Sequence, residues 1–268
     1  MNEETASAAL QAYESFASIY DDFNHQNDYE LWIGATVLPR LRAYGLEAPG
    51  AALDVGCGTG KAFPPLLERG WEVRGCDISP AMVEIARERF GDEVRLSVAD
   101  MRSLPALGSF ELVLAINDAV NHLLTEGDLQ RAMTGFAKNL APGGLLVFDC
   151  NTRALFRGLF DPSVRHVVER GGRCWTWQGM GAGDRDPATF SAEISGDSIA
   201  PTTIVERHFS QPEVERALEA AGLRVRAVIG QREADGGLVL SEAPDEERDA
   251  KLLYVASAGP GPSPSVNP

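Results

Sequence analysis

Residues 53–60 read LDVGCGTG, and this stretch decides the fold. The apolar run that leads into it, Ala51–Val55, predicts a short buried strand. The residues that follow, Lys61–Arg69, predict a helix. A buried strand that passes through a glycine-rich turn into a helix is typical of the opening unit of an α/β protein with a parallel sheet.

The glycines of this turn stand at alternate positions, Gly56, Gly58 and Gly60. Glycine accepts positive φ and lets a ligand approach the backbone closely. Backbone amides at a helix start suit a carboxylate, whereas Asp54 before the turn would repel a pyrophosphate and attract an ammonium group. The spacing also differs from the G-x-G-x-x-G of dinucleotide-binding turns. We therefore expect a cofactor that carries both charges of an amino acid.

Strand and helix patterns alternate along the next part of the chain. Apolar strands that alternate with amphipathic helices predict a parallel sheet covered on both faces. The predicted strands are Trp71–Cys76, Glu93–Val98, Phe110–Ile116 and Leu145–Asp149, and the predicted helices are Pro80–Phe90 and Glu126–Leu140.

Two more acidic residues follow the ends of predicted strands, Asp77 and Asp100. The carboxyl ends of parallel strands open onto one crevice, so we expect both acids to lie near Asp54. Asp77 is suited to accept hydrogen bonds from two ribose hydroxyls. Asp100 is suited to accept one from an adenine amino group, with Met101 against the ring.

Four segments together resemble class I S-adenosylmethionine-dependent methyltransferases: LDVGCGTG, CDIS (76–79), VADM (98–101) and LAPGGLLVFD (140–149). The resemblance covers roughly residues 50–150. It implies a Rossmann-like, doubly wound, seven-stranded sheet whose last strand is antiparallel, which agrees with an apolar run at Lys251–Ala256. It also implies S-adenosylmethionine as cofactor and S-adenosylhomocysteine as product.

Within that family, ASIYDDF (17–23) and AINDAVNHLL (115–124) look most similar to small-molecule methyltransferases, such as sugar N-methyltransferases of natural-product pathways. The resemblance implies that N-terminal helices close over the cofactor. We expect the three acids, Met101 and the three glycines to bind the cofactor. The resemblance implies further cofactor-binding residues, which are Tyr20, Cys57, Ile78, Met82, Arg102, Ile116 and Asn117.

The acceptor side is marked by a few polar and aromatic residues. His122 follows the fourth strand at the crevice and is the first candidate for a general base, and His208 is the second; a capping or loop role is the alternative for His122. The expected substrate contacts are Asn121, Trp175, Trp177 and Arg207. For Asn121 a turn, and for the tryptophans the core of a cap, are the alternatives.

Changes of pattern divide the chain into five parts. We expect a helical lid over residues 1–48, the cofactor-binding core over 49–150 and an antiparallel β cap over 151–210. A helix and the closing strands of the core follow over 211–257. The Gly/Pro/Ser-rich end, 258–268, is expected to be disordered.

Composition limits the partners. The formal net charge is −15 and no Lys/Arg-rich run occurs, which argues against nucleic acid. No run approaches the roughly 20 apolar residues of a membrane span, and residues 1–10 lack a secretory pattern, so we expect a cytoplasmic protein without membrane contact. The four cysteines form no C-x-x-C pair, which argues against a metal site. A monomer and a homodimer are both compatible with the sequence.

The sequence also bears on three other function classes. Asp54 and the glycine spacing argue against a nicotinamide dehydrogenase. A nucleic-acid methyltransferase lacks support, because neither an N-P-P-Y type motif nor a Pro-Cys pair occurs. The sequence is also compatible with a protein that binds the same cofactor but catalyses a cyclisation or has a regulatory role. It does not determine whether the methylated atom is nitrogen, oxygen or carbon.

Overall fold

The computed structural model describes residues 3–183, 188–234 and 237–258. They form two sheets flanked by helices. The α-helices are α1 Glu3–Phe16, α2 Tyr20–Phe23, α3 Leu38–Leu41, α4 Phe63–Leu67, α5 Pro80–Phe90, α6 Glu126–Asn139, α7 Arg153–Leu159 and α8 Gln211–Ala220. The strands are β1 Ala51–Val55, β2 Glu72–Asp77, β3 Arg95–Val98, β4 Phe110–Ala115, β5 Leu140–Asn151, β6 Arg165–Arg170, β7 Arg173–Ala182, β8 Thr189–Gly196, β9 Ile199–Arg207, β10 Leu223–Ala234, β11 Gly237–Ser241 and β12 Lys251–Ala258.

The large sheet has the order β11-β10-β12-β5-β4-β1-β2-β3. Strands β1 to β5 pair in parallel, and β12 lies antiparallel between β5 and β10. This confirms the doubly wound α/β fold and its antiparallel last strand. The sheet has an eighth strand, because β10 turns back into β11 as a hairpin at the edge.

The central strands are apolar because helices cover both of their faces. One face packs against Met133 and Phe136 of α6, and the other packs against Phe63 and Leu66 of α4; all four side chains are fully buried. Each such side chain contributes roughly 1.5–3 kcal/mol of transfer free energy. This packing holds the carboxyl ends of the strands, and the residues that follow them, in fixed positions.

The N-terminal segment, which we call the lid, is helical but irregular. A 3₁₀ turn separates α1 from α2, and a π-helical stretch, Glu30–Val37, precedes α3. Within that stretch the Thr36 hydroxyl donates to the carbonyl of Leu31. The lid is bound to the core by Asp21, which accepts from Thr59 and forms an ion pair with Arg89.

The residues after β5 form the small antiparallel sheet β6-β7-β8-β9, preceded by α7, a helix that the sequence did not predict. Their apolar core includes Phe156, Phe160 and Trp175 and also takes in Phe16 and Ile19 of the lid. Lid and cap therefore share one hydrophobic cluster.

At the C-terminus, Ala258 is the last residue of β12. The rest of the expected disordered tail lies outside the described residues. Along the described chain, every helix is too short or too polar to cross a membrane.

Candidate active site

The glycine turn after β1 has left-handed backbone at three positions. Gly56, Gly58 and Gly60 have φ of 77°, 53° and 80°. A Cβ at Gly56 would lie 3.1 Å from the Cβ of Ala119, and one at Gly60 would lie 2.7 Å from the ring of Phe63. Gly56 and Gly58 line a cleft at the carboxyl edge of the sheet, whereas Gly60 lies outside it. Gly60 therefore serves helix packing rather than ligand contact.

The amides of this turn are held by strand β2. The N–H groups of Gly56 and Cys57 donate to the carbonyl of Cys76 at 2.8 and 3.0 Å, and the N–H of Gly58 donates to Asp77 Oδ2 at 2.8 Å. These three amides are therefore engaged within the protein, and they fix the turn against β2.

The cleft has a volume of about 940 Å³ and opens at the ends of β1, β2, β3 and β4. It brings together most of the expected cofactor-binding residues: Tyr20, Asp54, Gly56, Cys57, Gly58, Asp77, Ile78, Asp100, Met101, Arg102, Ile116 and Asn117. Met82 is an exception like Gly60, because its side chain is fully buried on α5 and does not line the cleft. The sequence did not single out Tyr13, Tyr29, Lys61 or Leu123, which also line it.

Two buried carboxylates define the charge of the cleft. Asp54 is 1% exposed and its Oδ1 has no hydrogen-bond partner. Burial, together with the charge of Asp77, raises the pKa of Asp54 to about 7. Asp77 is bound by the N–H groups of Gly58 and Ser79, and burial raises its pKa as well. An unpartnered buried acceptor of this kind suits a cationic group.

Asp100 is engaged by its own neighbour. Its Oδ1 accepts from the backbone N–H of Arg102 at 2.9 Å, and both oxygens accept from the Arg102 guanidinium. Burial raises the pKa of Asp100, but these contacts outweigh it and the pKa is lowered. An adenine amino group at Asp100 would therefore share the carboxylate with Arg102.

The turn after β4 is strained and well supported. Asn117 and Asp118 have φ of 60° and 59°, a region that Asn and Asp tolerate better than most residues. Asp149 of β5 accepts from the N–H of Asp118 at 3.0 Å. Lys251 of β12 donates to the side chains of Asp118 and Asp149 at 2.6 and 2.9 Å. These contacts hold Asn117 at the edge of the cleft.

His122 faces the cleft and contacts the lid. Its Nδ1 lies 3.3 Å from the carbonyl of Val205, which can only accept, so Nδ1 carries the proton. Its Nε2 is then the acceptor for the Tyr13 hydroxyl at 2.7 Å. Burial lowers the pKa of His122, which favours the neutral form of the ring.

The other expected acceptor-side residues do not line this cleft. His208 is buried and binds Glu246 at 2.9 Å, which joins the end of the cap to the segment before β12. Trp175 and Trp177 belong to the cap core, where their ring N–H groups donate to backbone carbonyls.

The two polar candidates are also engaged in internal contacts. Asn121 is fully buried and bridges the backbones of Arg207 and Asn151. Arg207 forms an ion pair with Glu213 at 3.1 Å and lies over the ring of Phe209. Both side chains thus fasten the cap to the core.

Comparison with known proteins agrees with this geometry. The family model "Methyltransferase domain" matches residues 52–144. A putative methyltransferase of Geobacillus is 30% identical over 57% of this chain and 62% of its own length. The dTDP-3-amino-3,4,6-trideoxy-alpha-D-glucopyranose N,N-dimethyltransferase of Streptomyces venezuelae is 31% identical over 78% of this chain and 94% of its own length.

The chain belongs to the class I S-adenosylmethionine-dependent methyltransferases. The crystal structure of Streptomyces venezuelae DesVI superimposes with a TM-score of 0.67 at 25% identity, over 91% of this chain and 98% of that one. S-adenosylmethionine is the cofactor of this methyltransferase. The unpartnered Oδ1 of Asp54 fits its amino group, and Asp77 at the end of β2 fits its ribose.

Proposed function

We propose that this methyltransferase methylates an amino nitrogen of a small molecule, an amino sugar, in a biosynthetic pathway. The observation that carries the proposal is the pair of Tyr13 and His122, hydrogen-bonded at the edge of the cofactor cleft with a neutral imidazole. The relative from Streptomyces venezuelae, which the match covers almost completely, supports the choice of nitrogen.

S-adenosylmethionine supplies a methyl group on a positively charged sulfur. The nitrogen lone pair forms the new bond to the methyl carbon, the carbon–sulfur bond breaks, and the electron pair stays on the sulfur of S-adenosylhomocysteine. One proton has to leave the nitrogen in the overall reaction, and His122 Nε2 is placed to accept it, directly or through the Tyr13 hydroxyl. The walls of the cleft align the reacting atoms, an effect that contributes roughly 7–11 kcal/mol in favourable cases.

The remaining cofactor contacts are proposals of the same kind. Asp54 would hold the amino group, Asp77 the ribose hydroxyls, and Met101 with Leu123 would enclose the adenine. Tyr20 and Asn117 lie at the edge of the cleft that faces the lid. We do not assign a catalytic role to His208, because Glu246 binds it outside the cleft.

We further propose a cytoplasmic enzyme that works as a monomer or homodimer and does not act on nucleic acid. The net charge of −15 argues against phosphate binding. Cys57, Cys76 and Cys150 are buried free thiols, which is usual for a reducing compartment. The division into lid (1–48), core (49–150), cap (151–210) and closing segment (211–257) is retained as a proposal.

The test uses two compounds. One is dTDP-3-amino-3,4,6-trideoxy-alpha-D-glucopyranose, the amino sugar nucleotide in the name of the Streptomyces venezuelae relative. The other is its counterpart that carries a hydroxyl at the same carbon. Mass spectrometry should show one or two added methyl groups on the amino sugar and an equal amount of S-adenosylhomocysteine. Turnover of the hydroxyl compound alone would refute nitrogen methylation. Uptake of S-adenosylmethionine without any S-adenosylhomocysteine would favour a reaction other than methyl transfer.

A further inference from the structure

A group of titratable side chains lies beside His122, outside the part of the cleft assigned to the cofactor. Ligand atoms of Asp118, His122 and Glu206 all lie within 4.8 Å of one another, and we call these residues the acidic cluster. Asp118 comes from the strained turn after β4, and Glu206 comes from β9 of the cap. Of these three residues only His122 lines the cofactor cleft, so the acidic cluster adjoins the cleft through His122.

Glu206 is a buried acid without a cationic partner. It is 3% exposed, and Asn151 Nδ2 donates to its Oε2 at 2.8 Å. Within the described chain, no lysine, arginine or histidine forms an ion pair with it. Burial, followed by the charge of Asp118, raises its pKa well above the usual value. A raised pKa favours the neutral acid, so a cationic group would have to bind beside Glu206 to hold it as a carboxylate.

Donors are scarce in the surroundings of the acidic cluster. Lys251 is shared between Asp118 and Asp149, which leaves one ammonium for three carboxylates when Glu206 is included. In addition, Asp149 Oδ1 and Asn151 Oδ1 are buried without any hydrogen-bond donor. The unsatisfied buried atoms here are acceptors, and such atoms favour a ligand that brings donors and positive charge.

We propose that Asp118 and Glu206, beside His122, bind the protonated amino group of the methyl acceptor and thereby select amines over alcohols. The bound ammonium gives one proton to His122 Nε2, and the lone pair that this frees then attacks the methyl carbon. This inference rests on the proposed function, because it assigns the recognition of the amine to particular residues. An ammonium group has three donors and no acceptor, whereas a hydroxyl has one donor. Three atoms as close together as those of the acidic cluster can be reached from one point at hydrogen-bond distance.

The test measures binding of two small probes to protein loaded with S-adenosylhomocysteine. Cyclohexylamine is a cation at neutral pH, and cyclohexanol is its neutral counterpart of the same shape. Glu206→Gln removes the charge with little change of shape. Glu169→Gln is the matched control, because Glu169 is an exposed glutamate on β6 of the same small sheet. Dissociation constants come from NMR titrations at neutral pH.

The native protein and Glu169→Gln should bind the amine about tenfold or more tightly than the alcohol, as expected for charge-assisted hydrogen bonds. Glu206→Gln should bring this ratio close to one. An unchanged ratio would overturn the proposal and leave Glu206 as a structural acid. Displacement of the amine by Mg²⁺, with Mg²⁺ binding lost in Glu206→Gln, would also overturn it in favour of an inorganic cation.

Asp118→Asn keeps the proposal testable should Glu206→Gln not fold, since asparagine tolerates the left-handed backbone at this position. Asp118→Asn should also lower the ratio of amine affinity to alcohol affinity. The probes also separate this inference from the proposed function. A Glu206-dependent preference for the amine, in a protein that methylates no amino sugar, would sustain the amine site and refute the sugar nitrogen as acceptor.

Discussion

Replacement of Asp54 by asparagine should stabilise the cofactor-free protein and weaken cofactor binding. The folded protein raises the pKa of Asp54 from 3.8 to about 7, so the native state holds this proton more tightly than the unfolded chain. Stability from this group is therefore complete below the unfolded pKa and is lost as the pH rises through about 7. Between these two pKa values the free energy of unfolding falls by about 4 kcal/mol. Asp54→Asn removes the loss and should raise the melting temperature at about pH 8.

The same substitution removes an acceptor for the amino group of S-adenosylmethionine. A hydrogen bond to a charged group contributes about 1.5–3 kcal/mol, so the affinity should fall roughly 10- to 100-fold. Below about pH 7, where Asp54 is protonated, the affinity of the native protein should fall about tenfold per pH unit, while that of Asp54→Asn should stay flat.

Calorimetric titration of S-adenosylhomocysteine and thermal unfolding across this pH range measure both effects. Asp92→Asn serves as control, because Asp92 is exposed after α5 and should change neither quantity. A variant that is less stable than the native protein at about pH 8, or that binds cofactor as tightly as the native protein does, would refute the assignment of Asp54.

The remaining predictions concern the lid, the turn and the ribose site. Tyr13→Phe and His122→Ala should lower turnover more than cofactor affinity, and equal turnover with the true acceptor would remove the pair from the mechanism. Gly60→Ala should cost about 1–2 kcal/mol or more in unfolding experiments, because φ is 80°, whereas Gly158→Ala in α7 should not destabilise. Asp77→Ala should weaken cofactor binding strongly by calorimetry, and an unchanged affinity would contradict its contact with the ribose.

The core of the fold could be predicted because its signals are local. Strands such as β1 (AALDV) and β4 (FELVLA) are short apolar runs, and helices α5 and α6 begin at the capping residues Ser79 and Thr125. The π-helical stretch Glu30–Val37 could not be predicted, since its apolar residues lack a clear face. Likewise α7 and the hairpin of β10 and β11 depend on the tertiary surface that they cover.

The cofactor half of the site could be predicted for a topological reason. In a parallel sheet the strand order alone brings Asp54, Asp77 and Asp100 to one edge, whatever the intervening helices contain. The acceptor half follows no such rule. The hydroxyl of Tyr13, a residue that the sequence did not single out, contacts His122 across 109 residues of the chain.

The expected acceptor-side residues that do not line the cleft share one physical feature. A small cap has little interior, so it uses its large and polar side chains to hold itself together: Trp177 donates to Leu159, and Arg207 pairs with Glu213. Only a residue on the face of the cap that meets the core is placed to act on a ligand there. On β9 that face is occupied by Glu206, whose carboxylate approaches Asp118. The approach of Glu206 to Asp118 depends on how the cap packs against the core, which a single sequence does not encode locally.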